Sequence, residues 1–197
     1  MFICSSFYQT IKNFAKTTRF LLFVSLLVVL SQSNLFSQAR IGTTDYSTLK
    51  AAFDAINAGT HTGDIVITIR SNLTETSAAV LQASGVGSAN YNSVTIYPTG
   101  TYTISGSIPN GLIELRGADN VTIDGRVNQS GSTNALTIQN TYTSTSCAVW
   151  LDSNTTSNIA NGAKNNTIRN CNITGSNVSS SYGIVCGSSV SLTSGGV

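Results

Sequence analysis

Two couples of opposite charge stand out in this 197-residue chain, because charged side chains are scarce, at 9% of residues, and these recur at repeat spacing. Asp124 and Arg169 are 45 residues apart, the offset at which Gly117-Ala118-Asp119-Asn120-Val121-Thr122-Ile123-Asp124-Gly125 aligns without gaps on Gly162-Ala163-Lys164-Asn165-Asn166-Thr167-Ile168-Arg169-Asn170. Arg116 and Asp152 are 36 apart, the offset at which Leu112-Ile113-Glu114-Leu115 returns as Ala148-Val149-Trp150-Leu151. If the repeats stack, each couple is about 4.8 Å apart along the stack. Carboxylates can hold Ca²⁺, and a neighbouring base can remove a proton next to a substrate carboxylate, so Asp124, Arg169, Arg116 and Asp152 are catalytic candidates. The same spacing suits surface ion pairs worth about 0.2–1 kcal/mol, which accounts for these residues without catalysis.

Trp150 is a candidate of another kind. It alternates with Val149 and Leu151 and so points away from them; if those two face a core, the indole is outside, free to stack on a sugar ring or to be covered by the loop at 153–161. Tyr97, Tyr102, Tyr142 and Tyr182 are further contact candidates without a demonstrated common face. His61 is the sole histidine and reads as a solvated turn residue, so neither a nucleophilic triad nor a zinc site is expected. Cys147, Cys171 and Cys186 lack metal-ligand spacing. They allow one disulfide plus a thiol, or three small buried apolar residues, and the second reading is favoured. No metal site is expected.

The elements that must position these residues begin after a leader. Lys12, Lys16 and Arg19 precede an apolar core at Phe20–Leu30, and Ser37-Gln38-Ala39 is a small-x-small cleavage site, so residues 1–39 read as a signal peptide with the mature chain starting near Arg40. The apolar run is shorter than the ~20 residues that span a bilayer. The expected location is therefore secreted or cell-surface, with no membrane span after cleavage. The loss of three basic residues with the leader leaves no nucleic-acid patch.

Residues 40–63 read as a cap helix and turn. Leu49, Ala52, Phe53 and Ile56 share one helical face, with Thr44, Asp45 or Ser47 to cap its start and Gly59 to end it. Residues 64–197 change to short strands such as Ile65–Ile69, Val94–Tyr97, Val121–Asp124 and Leu136–Gln139, bounded by Gly, Asn, Ser and Pro. The repeat has three strands per copy, and Leu136-Thr137-Ile138 recurs as Cys171-Asn172-Ile173 at offset 35. A period in this range indicates a solenoid, whose units bury their apolar faces only by stacking.

The segments Asn120-Val121-Thr122-Ile123-Asp124-Gly125 and Asn166-Thr167-Ile168-Arg169-Asn170-Cys171-Asn172-Ile173 resemble the coil consensus of the right-handed parallel β-helix (pectate-lyase-like) superfamily. The resemblance covers roughly residues 112–187. It implies an all-β, right-handed parallel β-helix with an N-terminal amphipathic capping helix, and makes Asn170 an inward turn residue or an ordinary exposed one. In that family lyases use Ca²⁺ and often an Arg base, whereas the hydrolases' paired Asp-Asp, Gly-His-Gly and Arg-Ile-Lys motifs do not occur here. The ending Ser194-Gly195-Gly196-Val197 has no closing helix, so truncation at the C-terminus is expected.

These features point to a secreted or cell-surface module with a non-catalytic carbohydrate-binding, adhesive or structural role. Its expected partner is an extracellular polysaccharide or cell-surface glycan, and no cofactor is expected. The alternative is a polysaccharide lyase or glycoside hydrolase with its active coils beyond residue 197, and Ca²⁺ in the lyase case.

Overall fold

The structure, a computed structural model, describes residues 38–154 and 161–188. The leader expected at 1–39 lies outside them except for its last two residues; so do residues 155–160 and 189–197, where the loop and the truncated end were expected. In chain order the elements are β1 (Ala39–Ile41), β2 (Thr44–Tyr46), α1 (Leu49–Asn57), β3 (Thr62–Ile69), β4 (Leu73–Glu75), β5 (Ala79–Gln82), β6 (Asn90–Pro98), β7 (Tyr102–Gly106), β8 (Asn110–Arg116), β9 (Val121–Asp124), β10 (Leu136–Asn140), β11 (Ser146–Asn154), β12 (Asn161–Gly162), β13 (Thr167–Arg169), β14 (Cys171–Thr174) and β15 (Ser181–Cys186), with a 3-10 turn at Val127–Gln129.

Helix α1 buries Leu49, Ala52, Phe53 and Ile56, the four residues that share a face by spacing. Its cap is Thr48, whose hydroxyl accepts the Ala51 N–H at 3.0 Å, because Thr44 and Asp45 are committed to β2. Gly59 follows in the left-handed region, at φ +74°.

The strands form three sheets, ordered β2-β1-β3-β6-β9-β13, β4-β7-β10-β14 and β5-β8-β11-β12, with β15 also on β11. From β3 onward the chain visits the three sheets in rotation, leaving aside the short β12, and successive visits pair in parallel. The ladder registers are the sequence offsets: Asp124 faces Arg169, Ile113 faces Val149 and then Ile184, and Leu136 faces Cys171. Like therefore stacks on like. Ile67, Ile96, Ile123 and Ile168 form one inward file, the first three fully buried, each such burial contributing roughly 1.5–3 kcal/mol.

The expected right-handed parallel β-helix is corrected here to a β-rich fold of three sheets with one α-helix. The first sheet is mixed: β1 runs antiparallel to both β2 and β3, turning at Gly42 with φ +58°. β12 is antiparallel to β11, and no ladder joins one sheet to the next into a closed coil. The physical reason lies at the edge. The outer edge of β3 carries unpaired backbone groups that a preceding parallel strand would have satisfied, and β1 supplies them from the opposite direction, with Ala39 and Ile41 buried toward the core. The alternation buried, half-buried, buried in Ala39-Arg40-Ile41 is too short to read as a strand from sequence.

Side chains tie α1 to the first strands of the other two sheets. Glu75 of β4 is buried and its carboxylate accepts the N–H groups of Leu49 and Lys50, at 2.7 and 3.2 Å, at the start of α1. Asn57 at the end of α1 bonds the backbone of β5.

The outward positions differ between sheets. The second sheet presents Thr103, Thr137 and Asn172 in one file and Thr74, Ser105, Gln139 and Thr174 in the next, all uncharged. The outward faces of the other two carry charge, Asp124 and Arg169 on the first and Glu114, Arg116 and Asp152 with Trp150 on the third.

Candidate functional site

The outward face of β5-β8-β11-β15 combines aromatic and ionisable groups. Register places Val80, Glu114, Trp150 and Val185 in one outward file, and Gln82, Arg116 and Asp152 in the next. Val149 is in the main core and Leu151 packs against it, whereas Trp150 and Tyr182 lie on a separate small cluster with Cys147 and Val185. The indole is thus on the outside, half-buried. Its Nε1 donates to the Gly187 carbonyl at 2.7 Å, which fixes the ring over the β15 edge. Gly111 makes room below, since a Cβ there would meet the Trp150 Cβ at 3.0 Å.

Beside the indole is a cluster of three charged side chains. The stacking expected of Arg116 and Asp152 is present in the register, but the Arg116 guanidinium turns along its own strand to Glu114, with Nε 2.6 Å from Oε1. Glu114 has 5% of its side chain exposed, and Asp152 lies diagonally across the ladder from it on the same outward face. Burial pushes the Glu114 carboxyl above the ordinary range, Arg116 opposes this, and Asp152 adds to it. Asp152 also accepts the Ser153 N–H at 2.7 Å. Glu114 was missed in the sequence because it pairs within its own strand, at i and i+2, where repeat alignment gives no signal.

No protein-family model, curated protein or solved structure matches the chain. The pectate-lyase-like resemblance therefore rests on the repeat residues alone, and the roles of individual residues rest on their surroundings.

The second couple is brought together on the first sheet. Arg169 Nη2 is 2.8 Å from Asp124 Oδ2, and Arg126 closes on the same carboxylate from the turn after β9, with Nη2 at 2.7 Å and Nε at 2.9 Å. The Asp124 side chain is fully covered. Hydrogen bonds from Arg126 hold its carboxyl down at about 2, with Arg169 helping and burial opposing. Asp124 stays ionised and enclosed at neutral pH, which suits a structural anchor better than a proton carrier.

Among the described residues no group of three or more His, Cys, Asp or Glu side chains could hold a metal ion, and no helix is long and apolar enough to cross a membrane. Cys147, Cys171 and Cys186 are free thiols, buried, half-buried and exposed respectively. Burial, together with the nearby Glu114 charge, pushes the Cys147 thiol up to about 12, so it is not poised as a nucleophile. His61 is half-buried rather than solvated, and its Nε2 shares a 2.6 Å hydrogen bond with the Tyr46 hydroxyl. An enclosed amide is that of Asn140 at the end of β10, bonded to both backbone groups of Ile108 and to the Cys147 carbonyl. Asn170, the residue singled out by resemblance, is half-buried in the left-handed region at φ 52°.

Proposed function

We propose that this chain is a secreted or cell-surface module that binds an extracellular glycan without cleaving it, on the outward face carrying Trp150. The observation that carries the reading is the half-buried Trp150, in the small cluster that Tyr182 also packs against, on the outward face beside Glu114, Arg116 and Asp152. Aromatic rings cover the apolar C–H faces of sugars, while carboxyl and guanidinium groups bond sugar hydroxyls. The hydrogen bond from Trp150 to Gly187 supports it further, because a ring held before the ligand arrives loses little freedom on binding. The guanidiniums around Asp124 favour binding over catalysis, since they leave that carboxylate enclosed and ionised.

The test is retention of the full-length chain on gels containing xylan, β-glucan or polygalacturonate, with the same polymers assayed for new reducing or unsaturated ends. Retention without cleavage, weakened at least tenfold in Trp150→Ala, is the expected result. Robust turnover sinks the non-catalytic reading, and unchanged retention in Trp150→Ala removes this face from it.

A further inference from the structure

We propose that the cavity at the ends of β11 and β15 takes one amine-bearing sugar of the glycan, a glucosamine unit, with the Asp152 carboxylate on its ammonium group and the Trp150 indole at the rim. The inference rests on the glycan-binding reading and names the substrate class of that site.

The cavity has a volume of about 250 Å³. That is below the ~300–1,000 Å³ of pockets that enclose drug-sized ligands, so it has room for one ring rather than an oligosaccharide. Leu151 and Ala163 give it apolar walls, Gly162 and Gly187 keep it open, and Asp152 and Ser153 make a polar end. Gly187 also accepts the Trp150 Nε1–H at 2.7 Å, which sets the indole beside the cavity. Apolar walls and an indole suit the C–H faces of a sugar, and the polar end is left for a substituent.

Charge decides which substituent. Register sets Arg116 opposite Asp152, yet the guanidinium is taken by Glu114, with Nε 2.6 Å from Oε1. Among the described residues no Arg or Lys comes within ion-pair distance of Asp152. Its Oδ1 accepts the Ser153 N–H at 2.7 Å, one bond of the roughly four that an ionised carboxylate can accept. Glu114 and Arg116 cancel, so the face keeps one negative charge, half-buried at the cavity. A sugar hydroxyl bonds a carboxylate without neutralising it, and a uronate is repelled by it. An ammonium group both bonds and neutralises it, and such charge-assisted bonds are about twice as strong as neutral ones.

The experiment compares retention of the full-length chain on chitosan and chitin beads, which share one backbone and differ in whether the amine is free or acetylated, at a pH where the free amine is protonated. The chain carries a formal net charge of +2, so its overall charge does not draw it to a polycation. Retention on chitosan should exceed that on chitin about tenfold, the worth of a hydrogen bond between charged groups. Asp152→Asn should remove this preference and leave retention on chitin, Trp150→Ala should weaken both, and Asp54→Asn, on the exposed side of α1, should change neither. Far-ultraviolet dichroism confirms that the variants fold. If Asp152→Asn does not, competition on the wild type decides: glucosamine oligomers should release it from chitosan at lower concentration than N-acetylglucosamine oligomers do. Retention on chitin, xylan or β-glucan that equals or exceeds that on chitosan overturns the amine inference and leaves the glycan reading standing. A chitosan preference that persists in folded Asp152→Asn overturns the role of Asp152. No retention on any of these polymers sinks the glycan reading and the amine inference with it.

Discussion

The Asn57 carboxamide accepts the backbone N–H of Gln82 at 2.9 Å, doing for β5 what a neighbouring strand would do. Its Nδ2 completes the match by donating to the Val80 carbonyl at 2.8 Å. One side chain at the end of α1 thus presents a donor and an acceptor in the order of a backbone amide, and finishes the edge of the third sheet.

Asn57→Ala should therefore cost more than a surface substitution. It leaves a donor and an acceptor of β5 without these partners at a half-buried position, a loss of about 1–3 kcal/mol. Urea denaturation followed by dichroism measures it. The variant should also self-associate more readily in light scattering, because an open strand edge is a template for pairing. A stability change below about 0.5 kcal/mol would show that water satisfies the edge equally well.

Asp124 predicts an acid limb in the stability curve. Its carboxyl is held below the ordinary 3.8, at about 2, so the native state binds fewer protons than the unfolded state between those values. The stabilisation is present above pH 3.8 and is lost as pH falls through that window to about 2. In Asp124→Asn this limb should flatten, and stability at neutral pH should drop. Between the two arginines, Arg126→Ala should cost more than Arg169→Ala, since the Arg126 side chain is 22% exposed and that of Arg169 48%. The Arg169 loss should stay near the ~0.2–1 kcal/mol of exposed pairs. Denaturation midpoints at pH 2.5, 4 and 7 test both statements.

Gly125→Ala should be among the most damaging single changes in the chain. A Cβ at Gly125 would land on the carbonyl oxygen of Asn170, and on backbone that the ladder between β9 and β13 holds in place. Overpacking against immovable backbone reaches or exceeds the upper end of the usual ~1–3 kcal/mol. The readout is soluble yield and thermal midpoint, compared with Gly131→Ala. No atom lies within 4 Å of a Cβ there, but Gly131 sits at φ +77°, so this reference carries only the smaller conformational cost of a left-handed alanine. A Gly125→Ala variant no less stable than the reference would contradict the close approach.

Repetition made much of the arrangement legible. Wherever a residue does the same work in successive rounds, its partner sits at a fixed offset, and the offsets of 45, 36 and 35 became the registers of Asp124 with Arg169, Ile113 with Val149, and Leu136 with Cys171. The helix was legible for a similar reason, because Leu49, Ala52, Phe53 and Ile56 answer to one period. Edges and turns work once and leave no period. The antiparallel β1, the Glu75 carboxylate under α1 and the Asn57 carboxamide on β5 each satisfy backbone groups that lie outside the repeat.

For the candidate site the division is finer. Sequence alone put Trp150 on the opposite side of its strand from Val149 and Leu151, and set Arg116 against Asp152, because side-chain alternation and ladder register are properties of the backbone. Only the tertiary structure decided what the side chains then do. Arg116 turns to Glu114 rather than Asp152, Arg126 joins Arg169 on Asp124, and the Trp150 indole reaches Gly187, since these outcomes depend on burial and on rotamers that neighbours permit. A repeating sequence determines which residues are stacked; the local competition for charge, space and hydrogen bonds determines which of the stacked residues bond.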